Sequence, residues 1–277
     1  MDPVERAIWF VEQGFDKEIS LENIAAVAGV SRFHMARAFG AATGHSVMRY
    51  VRGRRLSEAA RTLAAGAPDI LAVALDAGYG SHEAFTRAFR DQFGVTPEQL
   101  RAQGSLDIVN LMEPIKMDNS LVIDLEEPRF EDGKPLLITG IGVRYTCDTN
   151  QGIPAQWQRF GPHIGNIPGQ IGSVSYGLCC NFDHDDSFEY IAGVEVSSFG
   201  DVPEGFSTIR VPPQKYAVFD HREHISAIGR TVSAIWSKWL PQSGYEVADA
   251  PNFERYDDRF DPQTGKGVVE IWIPLRA

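Results

Sequence analysis

The stretch DAGYGSHEAFTRAFRDQFGVTP, residues 76–97, decides the fold of the N-terminal part of the chain. Gly78 permits the left-handed backbone of a tight turn, and Ser81 is suited to cap the helix that follows. Phe85 and Phe89 lie four residues apart and therefore share one face of that helix. The stretch predicts a helix, a tight turn and a second helix, which is the helix-turn-helix pattern.

The same pattern occurs a second time, earlier in the chain. Shifted by 50 residues, Ser31 falls on Ser81, and Arg-Ala-Phe at 37–39 falls on the same triplet at 87–89. Upstream of the turn, the two copies are related by a shift of 49 residues instead. A plain helical bundle with a chance repeat is the weaker interpretation, because several residue types match in register. Two such units joined by one long helix could read major-groove segments about 34 Å apart.

The charge of the chain is divided between its two parts. The net charge is -11, but residues 1–105 carry 12 basic and 12 acidic side chains, and the remaining residues carry 14 and 25. Between residues 29 and 61 there are seven arginines and one acid, Glu58. A solvated helix face usually mixes both signs, so this run favours a surface that faces phosphates.

Length and composition indicate two globular domains. The 277 residues are 43% hydrophobic and 23% charged, which excludes disordered and disulfide-dense classes. Three cysteines favour the reducing cytoplasm, and the longest apolar run, residues 70–75, is too short to span a membrane. We expect a DNA-binding domain at 1–105, a linker at 106–119 and a second domain at 120–277.

The second domain has the pattern of strands and helices of an α+β fold. Its first half is predicted as strands at 121–125 and 136–145 joined by a turn at 131–133, a helix at 154–164, and strands at 173–181 and 188–198. Its second half is predicted as strands at 207–211 and 215–222, a helix at 225–240, and strands at 252–256 and 267–274. Two ββαββ halves predict a pseudo-twofold axis with a groove between them.

The motif at 76–97 resembles the signature of AraC/XylS-type transcriptional regulators, and the similarity covers about the first hundred residues. In that family both recognition helices face the major groove. The resemblance implies DNA contacts from the following residues: Ser31, Arg32, Phe33, Ala36, Arg37, Arg55, Ser81, His82, Glu83, Thr86 and Arg87.

These DNA candidates differ in what they can contact. Arg37 and Arg87 suit bidentate reading of guanine. Ala36 departs from the longer polar residue common in the family and is limited to apolar contact, for example with a thymine methyl group. Glu83 could accept a hydrogen bond from cytosine or simply avoid phosphates. The helix N-termini at Ser31 and Ser81 can hold phosphates, and Arg55 is expected to contact the DNA backbone.

The second domain resembles the GyrI-like effector-binding fold. The resemblance rests on Pro-Arg-Phe at 128–130, the run at 190–196, Tyr-Ala-Val-Phe at 216–219, Trp-Leu-Pro at 239–241, Phe-Glu-Arg-Tyr at 253–256 and the run at 270–274. Glu223 departs from the glycine frequent in the family. A GyrI-like domain behind an AraC-type unit resembles the architecture of right-origin-binding proteins.

This second resemblance implies a cavity for amphipathic, often cationic or aromatic molecules, with Glu254 inside it. Glu254 and Tyr256 would share one strand face, and a carboxylate beside aromatic rings suits an organic cation. Candidate walls are Tyr145, Tyr176, Tyr190, Trp236, Trp239 and Trp272. The alternatives are core packing for the aromatic residues and a salt bridge from Glu254 to Arg255 or Arg259.

No motif indicates a cofactor, a metal site or a nucleophile–base pair. The sequence predicts a cytoplasmic transcription regulator that binds double-stranded DNA and a small effector, with RNA polymerase as a further partner. One alternative is a hydrolase attached to a DNA-binding domain, because some GyrI-like domains are similar to hydrolases in which a glutamate and a tyrosine activate water. Another is a C-terminal domain that only contacts partner proteins.

Overall fold

The computed structural model describes residues 2–115, 125–146, 149–182 and 187–276. The chain forms two compact units, Met1–Ala36 with His45–Asp118 and Arg37–Gly44 with Asn119–Ala277. The division between them falls inside one helix, so that residues 37–44 belong to the second unit. Within the described residues, no helix is both long enough and apolar enough to cross a bilayer.

The N-terminal elements are helices, as the sequence predicts. They are α1 (Pro3–Gly14), α2 (Leu21–Ala28), α3 (Arg32–Thr43), α4 (Val47–Ala64), α5 (Ile70–Asp76), α6 (His82–Phe93) and α7 (Pro97–Gln103). Helices α2 and α3 form the first helix-turn-helix, α5 and α6 form the second, and α4 joins them.

The repeat read from the sequence is present in the backbone hydrogen bonds of the two turns. Gly29 and Gly78 both have left-handed backbones, with φ of 74° and 82°. The amide following each glycine closes the same type of bond: Val30 N donates to Ala25 O at 3.1 Å, and Tyr79 N donates to Ala74 O at 2.9 Å. A side chain other than hydrogen is strained at such φ values, so the glycines define both turns.

Helix α4 corrects part of the charge argument. Arg54 is only 4% exposed and binds both carboxylate oxygens of Glu12, at 2.8 and 2.9 Å. The same carboxylate accepts a hydrogen bond from the Tyr50 hydroxyl at 2.6 Å. The prediction of a phosphate-facing surface is therefore wrong for Arg54, because this guanidinium neutralises an acid inside the helical unit.

The start of the predicted linker packs on α4. Met112 N donates to Ser57 Oγ at 2.8 Å, and Arg54 Nη1 donates to Met112 O at 3.0 Å. Leu106, Val109 and Leu111 contact the apolar core of the second helix-turn-helix.

The second unit contains an eight-stranded antiparallel sheet in the order β1-β6-β8-β7-β3-β4-β2-β5. The strands are β1 (Arg129–Gly133), β2 (Leu136–Tyr145), β3 (Gln170–Cys180), β4 (Phe188–Val196), β5 (Ser207–Val211), β6 (Gln214–His221), β7 (Asn252–Asp261) and β8 (Lys266–Leu275). Two ββαββ halves are present, as predicted, but β1 pairs with β6 and β2 pairs with β5.

That exchange of strands between the halves explains an error in the predicted boundaries. Residues 121–124 of the predicted first strand lie outside the described residues. The predicted turn at 131–133 is instead strand, because Glu131, Asp132 and Gly133 pair with residues 214–216 of β6. Pairing with a strand distant in sequence outweighs the local turn preference of Asp-Gly.

Two helical regions lie between the strands of this unit. The first is α8 (Ile153–Phe160). The second was predicted as one helix over 225–240 and is in fact subdivided: a 3₁₀ turn (Ile225–Ala227), α9 (Ile228–Ala234), a π-helical turn (Ile235–Trp239) and α10 (Leu240–Ser243). Single π-turns within helices occur frequently at functional sites.

Candidate functional site

The Glu254 carboxylate is the centre of the candidate effector site. Its Oε2 accepts hydrogen bonds from two phenols, Tyr190 Oη at 2.6 Å and Tyr256 Oη at 2.9 Å. Trp157 Nε1 in turn donates to Tyr190 Oη at 2.9 Å. These bonds fix the carboxylate, and the described residues contain no donor to its Oε1.

The alternation of the strands brings this group together. Glu254 and Tyr256 are two residues apart on β7 and share a face. Gly177 on β3 lies directly opposite Glu254. A Cβ atom at residue 177 would collide with the Tyr190 hydroxyl and come within 2.7 Å of Glu254 Oε2. Glycine at residue 177 therefore leaves the space through which the Tyr190 phenol reaches Glu254.

Burial makes the carboxylate difficult to ionise. It raises the pKa of Glu254, while the two tyrosine hydroxyls and the charge of Arg37 act in the opposite direction. Burial and the nearby carboxylate also raise the pKa of Tyr190 and of Tyr256, so both phenols stay protonated and remain donors. A bound cation would favour the ionised form of Glu254.

A pocket with about 260 Å³ of empty space, including part that is open to solvent, lies beside this carboxylate. Its lining residues come from the sheet, from the α9 region and from residue 37: Arg37, Gly177, Cys179, Val232, Trp236, Asn252, Phe253, Glu254, Ile271 and Ile273.

Arg37 contributes a cation to the wall of this pocket. Its Cζ is 5.4 Å from the ring centroid of Phe182 and 5.5 Å from those of Phe188 and Trp236. Its Nη2 donates to Asn252 Oδ1 at 2.7 Å. Three aromatic rings and an amide oxygen thus surround a cation, which is an arrangement suited to cation–π binding.

The structure brings together four of the eight predicted effector residues. Glu254, Tyr190 and Tyr256 share the hydrogen bonds described above, and Trp236 lines the same pocket. Tyr145 packs beside the ring of Phe188 at 6.4 Å and is one layer removed from the guanidinium. The effector role of these residues stays a prediction.

The other three predicted walls lie elsewhere. Tyr176 and Trp272 both pack on Phe253, at 5.8 and 5.2 Å, on the opposite face of the sheet from Glu254. Trp239 packs between Phe219 and Tyr245. Phe253 and Glu254 are adjacent on β7 and point to opposite faces, so the rings that pack on Phe253 lie away from the carboxylate.

The alternative of a salt bridge from Glu254 to a neighbouring arginine is wrong. Arg255 binds Asp257 at 2.6 Å and Glu270 at 3.2 Å. Arg259 also binds Asp257 and Glu270. Both arginines serve an acidic cluster on the other face of the sheet, where Glu270 is 3% exposed.

Sequence reasoning missed several residues of this site. Asn252 is two residues before Glu254, so the period-2 rule would have placed it on the same face. Trp157 carries a polar N–H on the apolar stripe of α8. Phe182 and Phe188 flank residues 183–186, which are outside the described part, and no local pattern distinguishes them from core residues.

The DNA candidates differ in their surroundings in the structure. Ser31 and Ser81 accept hydrogen bonds from the backbone amides of His34 and Ala84, at 3.1 and 3.2 Å. They therefore act as the equivalent caps of α3 and α6. Arg87 and Glu83 are exposed on α6. Their contacts with DNA stay predictions.

Other DNA candidates have partners within the protein. His82 Nε2 lies 2.9 Å from Glu98 Oε1, and Arg32 binds Glu22 at 3.1 Å. Arg55 donates to the carbonyl oxygens of Phe15 and Lys17, at 2.5 and 2.6 Å.

Three further DNA candidates are only partly accessible. Phe33, Ala36 and Thr86 are partly buried. The hydroxyl of Thr86 is a buried group that has no hydrogen-bond partner among the described residues.

Comparison with known proteins gives two family matches. The GyrI-like small molecule binding domain matches residues 126–276, and a helix-turn-helix domain matches residues 24–103. These two matches together cover most of the chain, in the order predicted from its motifs.

Two curated relatives align with this chain over nearly its whole length, and a third aligns over less than half of it. The transcriptional regulator Rob of Salmonella typhimurium is 28% identical over 97% of this chain and 96% of its own. The right origin-binding protein of Escherichia coli is also 28% identical, with the same coverage. The transcriptional regulator BrlR of Pseudomonas aeruginosa is 39% identical over 43% of this chain and 44% of its own. The chain belongs to the GyrI-like small-molecule-binding family, with an AraC-type helix-turn-helix domain in front of the GyrI-like domain.

Proposed function

We propose that this protein is a DNA-binding transcription regulator whose GyrI-like domain binds a small organic cation as its effector. The observation that carries the proposal is the Glu254 carboxylate, which two phenols hold beside a pocket lined by Trp236. A buried carboxylate gains from a positive partner, and an aromatic wall adds cation–π attraction. The names of the full-length relatives, a transcriptional regulator and an origin-binding protein, support the DNA-binding half.

The partners follow from the same proposal. The two helix-turn-helix units take double-stranded DNA, with exposed Arg87 reading a base edge from α6. A regulator of transcription acts on RNA polymerase at the promoter, so we place polymerase among its partners and the protein in the cytoplasm. No catalytic role is assigned to the pocket.

The experiment that tests the effector site replaces Glu254→Gln in the full chain. Calorimetry with benzamidinium and with neutral benzamide of nearly the same shape separates charge from fit. The variant should lose about 1.5–3 kcal/mol of benzamidinium affinity, the range for a hydrogen bond to a charged group, and leave benzamide nearly unchanged.

The matched control is Glu195→Gln. Glu195 lies on β4, pairs with Ile138 of β2, and points to the other face of the sheet from Glu254. The affinity of this variant for both compounds should equal that of wild type. Equal losses for both compounds in Glu254→Gln would make Glu254 a structural residue, and failure of wild type to bind any cation would remove the effector proposal.

The hydrolase alternative is tested separately. Glu254 and Tyr256 would have to activate water, yet the Tyr256 hydroxyl is committed to Glu254 Oε2. Incubation of the full chain with amide and ester derivatives of benzamidine, followed by chromatography, should show no turnover above that of Glu254→Gln. Turnover that depends on Glu254 would instead favour the enzyme.

A further inference from the structure

The wall of the effector pocket includes a cation from the protein's own chain. Arg37 is among the pocket's lining residues, and its guanidinium has three aromatic rings within 5.5 Å and one hydrogen bond to Asn252. Its charge lowers the pKa of Glu254 in opposition to burial. The guanidinium is therefore held, in this structure, in an aromatic environment of the kind that the proposed function gives to the effector.

The surrounding groups define the type of cation that fits. Asn252 Oδ1 accepts an N–H at 2.7 Å, so the cation must carry donors. Glu254 lines the same pocket, and its Oε1 receives no hydrogen bond from the described residues, so this oxygen is available for a second N–H. A planar guanidinium or amidinium presents such donors in a fixed fork, whereas a quaternary ammonium has none.

A second observation points to a ligand in addition to the arginine. Asn252 is 4% exposed, and its Nδ2 has no hydrogen-bond partner among the described residues. A buried amide without a partner costs free energy. A ligand that brings an acceptor next to its cationic group would satisfy this donor, which Arg37 cannot do.

Arg37 lies on a helix that is predicted to contact DNA. Arg37 lies on α3, the second helix of the first helix-turn-helix, where the internal repeat makes it the equivalent of Arg87 on α6. Arg87 is exposed, whereas Arg37 is partly buried. One guanidinium cannot occupy the pocket and a major groove at the same time.

We propose that Arg37 is the resting occupant of the effector pocket, and that a guanidinium- or amidinium-type effector displaces it and thereby frees it to contact DNA. This inference rests on the proposed function. Effector and DNA are then coupled through one side chain, and the coupling is reciprocal: each ligand raises the affinity for the other by the same factor. The expected factor is about 5 to 150, the usual range of allosteric coupling.

The first test is binding of benzamidinium to the full chain by calorimetry. Arg37→Gln removes the competing charge and retains most of the side chain, so its affinity should rise at least about fivefold over wild type. Arg87→Gln is the matched control, since it removes the same charge from the equivalent helix position, and its affinity should remain that of wild type. Benzyltrimethylammonium, which has no N–H donors, should bind Arg37→Gln more weakly than benzamidinium does.

Unchanged or weaker benzamidinium binding by Arg37→Gln would overturn the inference. The proposed function would survive that result as long as wild-type binding still depended on Glu254. Arg37→Lys keeps the charge without the planar fork and provides a second variant; its affinity should fall between wild type and Arg37→Gln.

The second test measures DNA binding directly. A duplex selected from random sequence by the wild-type chain should bind wild type more tightly when benzamidinium is present. Arg37→Gln should show no such increase. Arg87→Gln should bind the duplex weakly but should still bind it more tightly when benzamidinium is present. An increase of the same size in Arg37→Gln would show that the effector acts through another route and would exclude Arg37 as the switch.

Discussion

At the residue scale, the site depends on one carboxylate whose ionisation is opposed by burial and favoured by its neighbours. Tyr190 and Tyr256 donate to the same oxygen of Glu254, which leaves the other oxygen for a ligand. Burial has a larger effect than the hydrogen bonds and the charge of Arg37, because the pKa of Glu254 is raised above its ordinary value of 4.5. Such a carboxyl is a poor partner for a cation until it loses its proton.

Binding of an organic cation should therefore depend on pH. Because the folded protein holds the proton of Glu254 more tightly than the unfolded chain, benzamidinium affinity should rise as pH increases from 4.5 through the raised pKa, and then level off. Calorimetry in buffers of different ionisation enthalpy should show release of a proton on binding. A flat profile for wild type would contradict this prediction, and Glu254→Gln is the control expected to be flat.

Protonation of Glu254 weakens binding of the cation but stabilises the folded protein. The protonated carboxyl is the favoured form in the folded pocket, so the contribution of Glu254 to stability is present below pH 4.5 and is lost as pH rises through its raised pKa. Ligand and stability therefore favour opposite protonation states, which is typical of residues held for function.

Gly177 should be as important for the site as the residues that contact the ligand. Gly177→Ala places a methyl group against the Tyr190 hydroxyl and within 2.7 Å of Glu254 Oε2. We expect loss of the Tyr190–Glu254 bond and at least tenfold weaker benzamidinium binding, about 1.4 kcal/mol. Gly229→Ala is the control, because a Cβ at that position on α9 meets nothing within 4 Å. Wild-type affinity in Gly177→Ala would show that Tyr190 does not orient the glutamate.

At the element scale, α4 is held by a buried ion pair in addition to its apolar face. Glu12 on α1 receives both Arg54 and Tyr50 from α4, and Arg54 also reaches the carbonyl of Met112. The guanidinium lies over the ring of Phe15 at 4.9 Å. One side chain thus connects α1, α4 and the segment that follows α7.

Removing that side chain should destabilise the helical unit strongly. Arg54→Ala leaves the Glu12 carboxylate without its charge partner, and loss of one member of a buried pair costs about 3–5 kcal/mol. Arg52→Ala, at an exposed position on the same helix, should change the free energy of unfolding by no more than about 0.5 kcal/mol. Urea unfolding followed by far-ultraviolet circular dichroism compares the two. Similar effects from both would mean that the Arg54 contacts contribute little.

At the scale of the whole molecule, the acidity of the C-terminal part should oppose DNA binding. Residues 1–105 have no net charge and the rest carries -11, so long-range repulsion from phosphates acts on the second part alone. The N-terminal fragment should bind non-specific DNA at least as tightly as the full chain, and the difference should shrink as salt rises. Fluorescence anisotropy across a salt series measures both.

The structure indicates where the C-terminal boundary of that fragment should lie. Residues up to 115 donate to α4, including Ile115 N to Tyr50 Oη at 3.1 Å, so residues 1–115 are the appropriate piece. Weaker binding by this fragment at low salt would show that the C-terminal part contributes contacts of its own.

The sequence by itself determined the features whose short-range signals no distant pairing overrode. Glycine turns, serine caps and helical periodicity at 28–31 and 77–81 specify the two helix-turn-helix units, because these signals act between residues that are close in the chain. Period-2 alternation at 253–256 placed Glu254 and Tyr256 together for the same reason.

Only the tertiary structure decided which distant residues meet. The exchange of β1 and β5 between the halves, Gly177 opposite Glu254, and the ring walls at Phe182, Phe188 and Trp236 all depend on pairing between segments far apart in the chain. The same holds for Arg54, whose charge indicated phosphate until a carboxylate from α1 was found beside it. A charge or an aromatic ring has the same sequence signature in a core, a pocket or a surface, and burial and partners alone distinguish these environments.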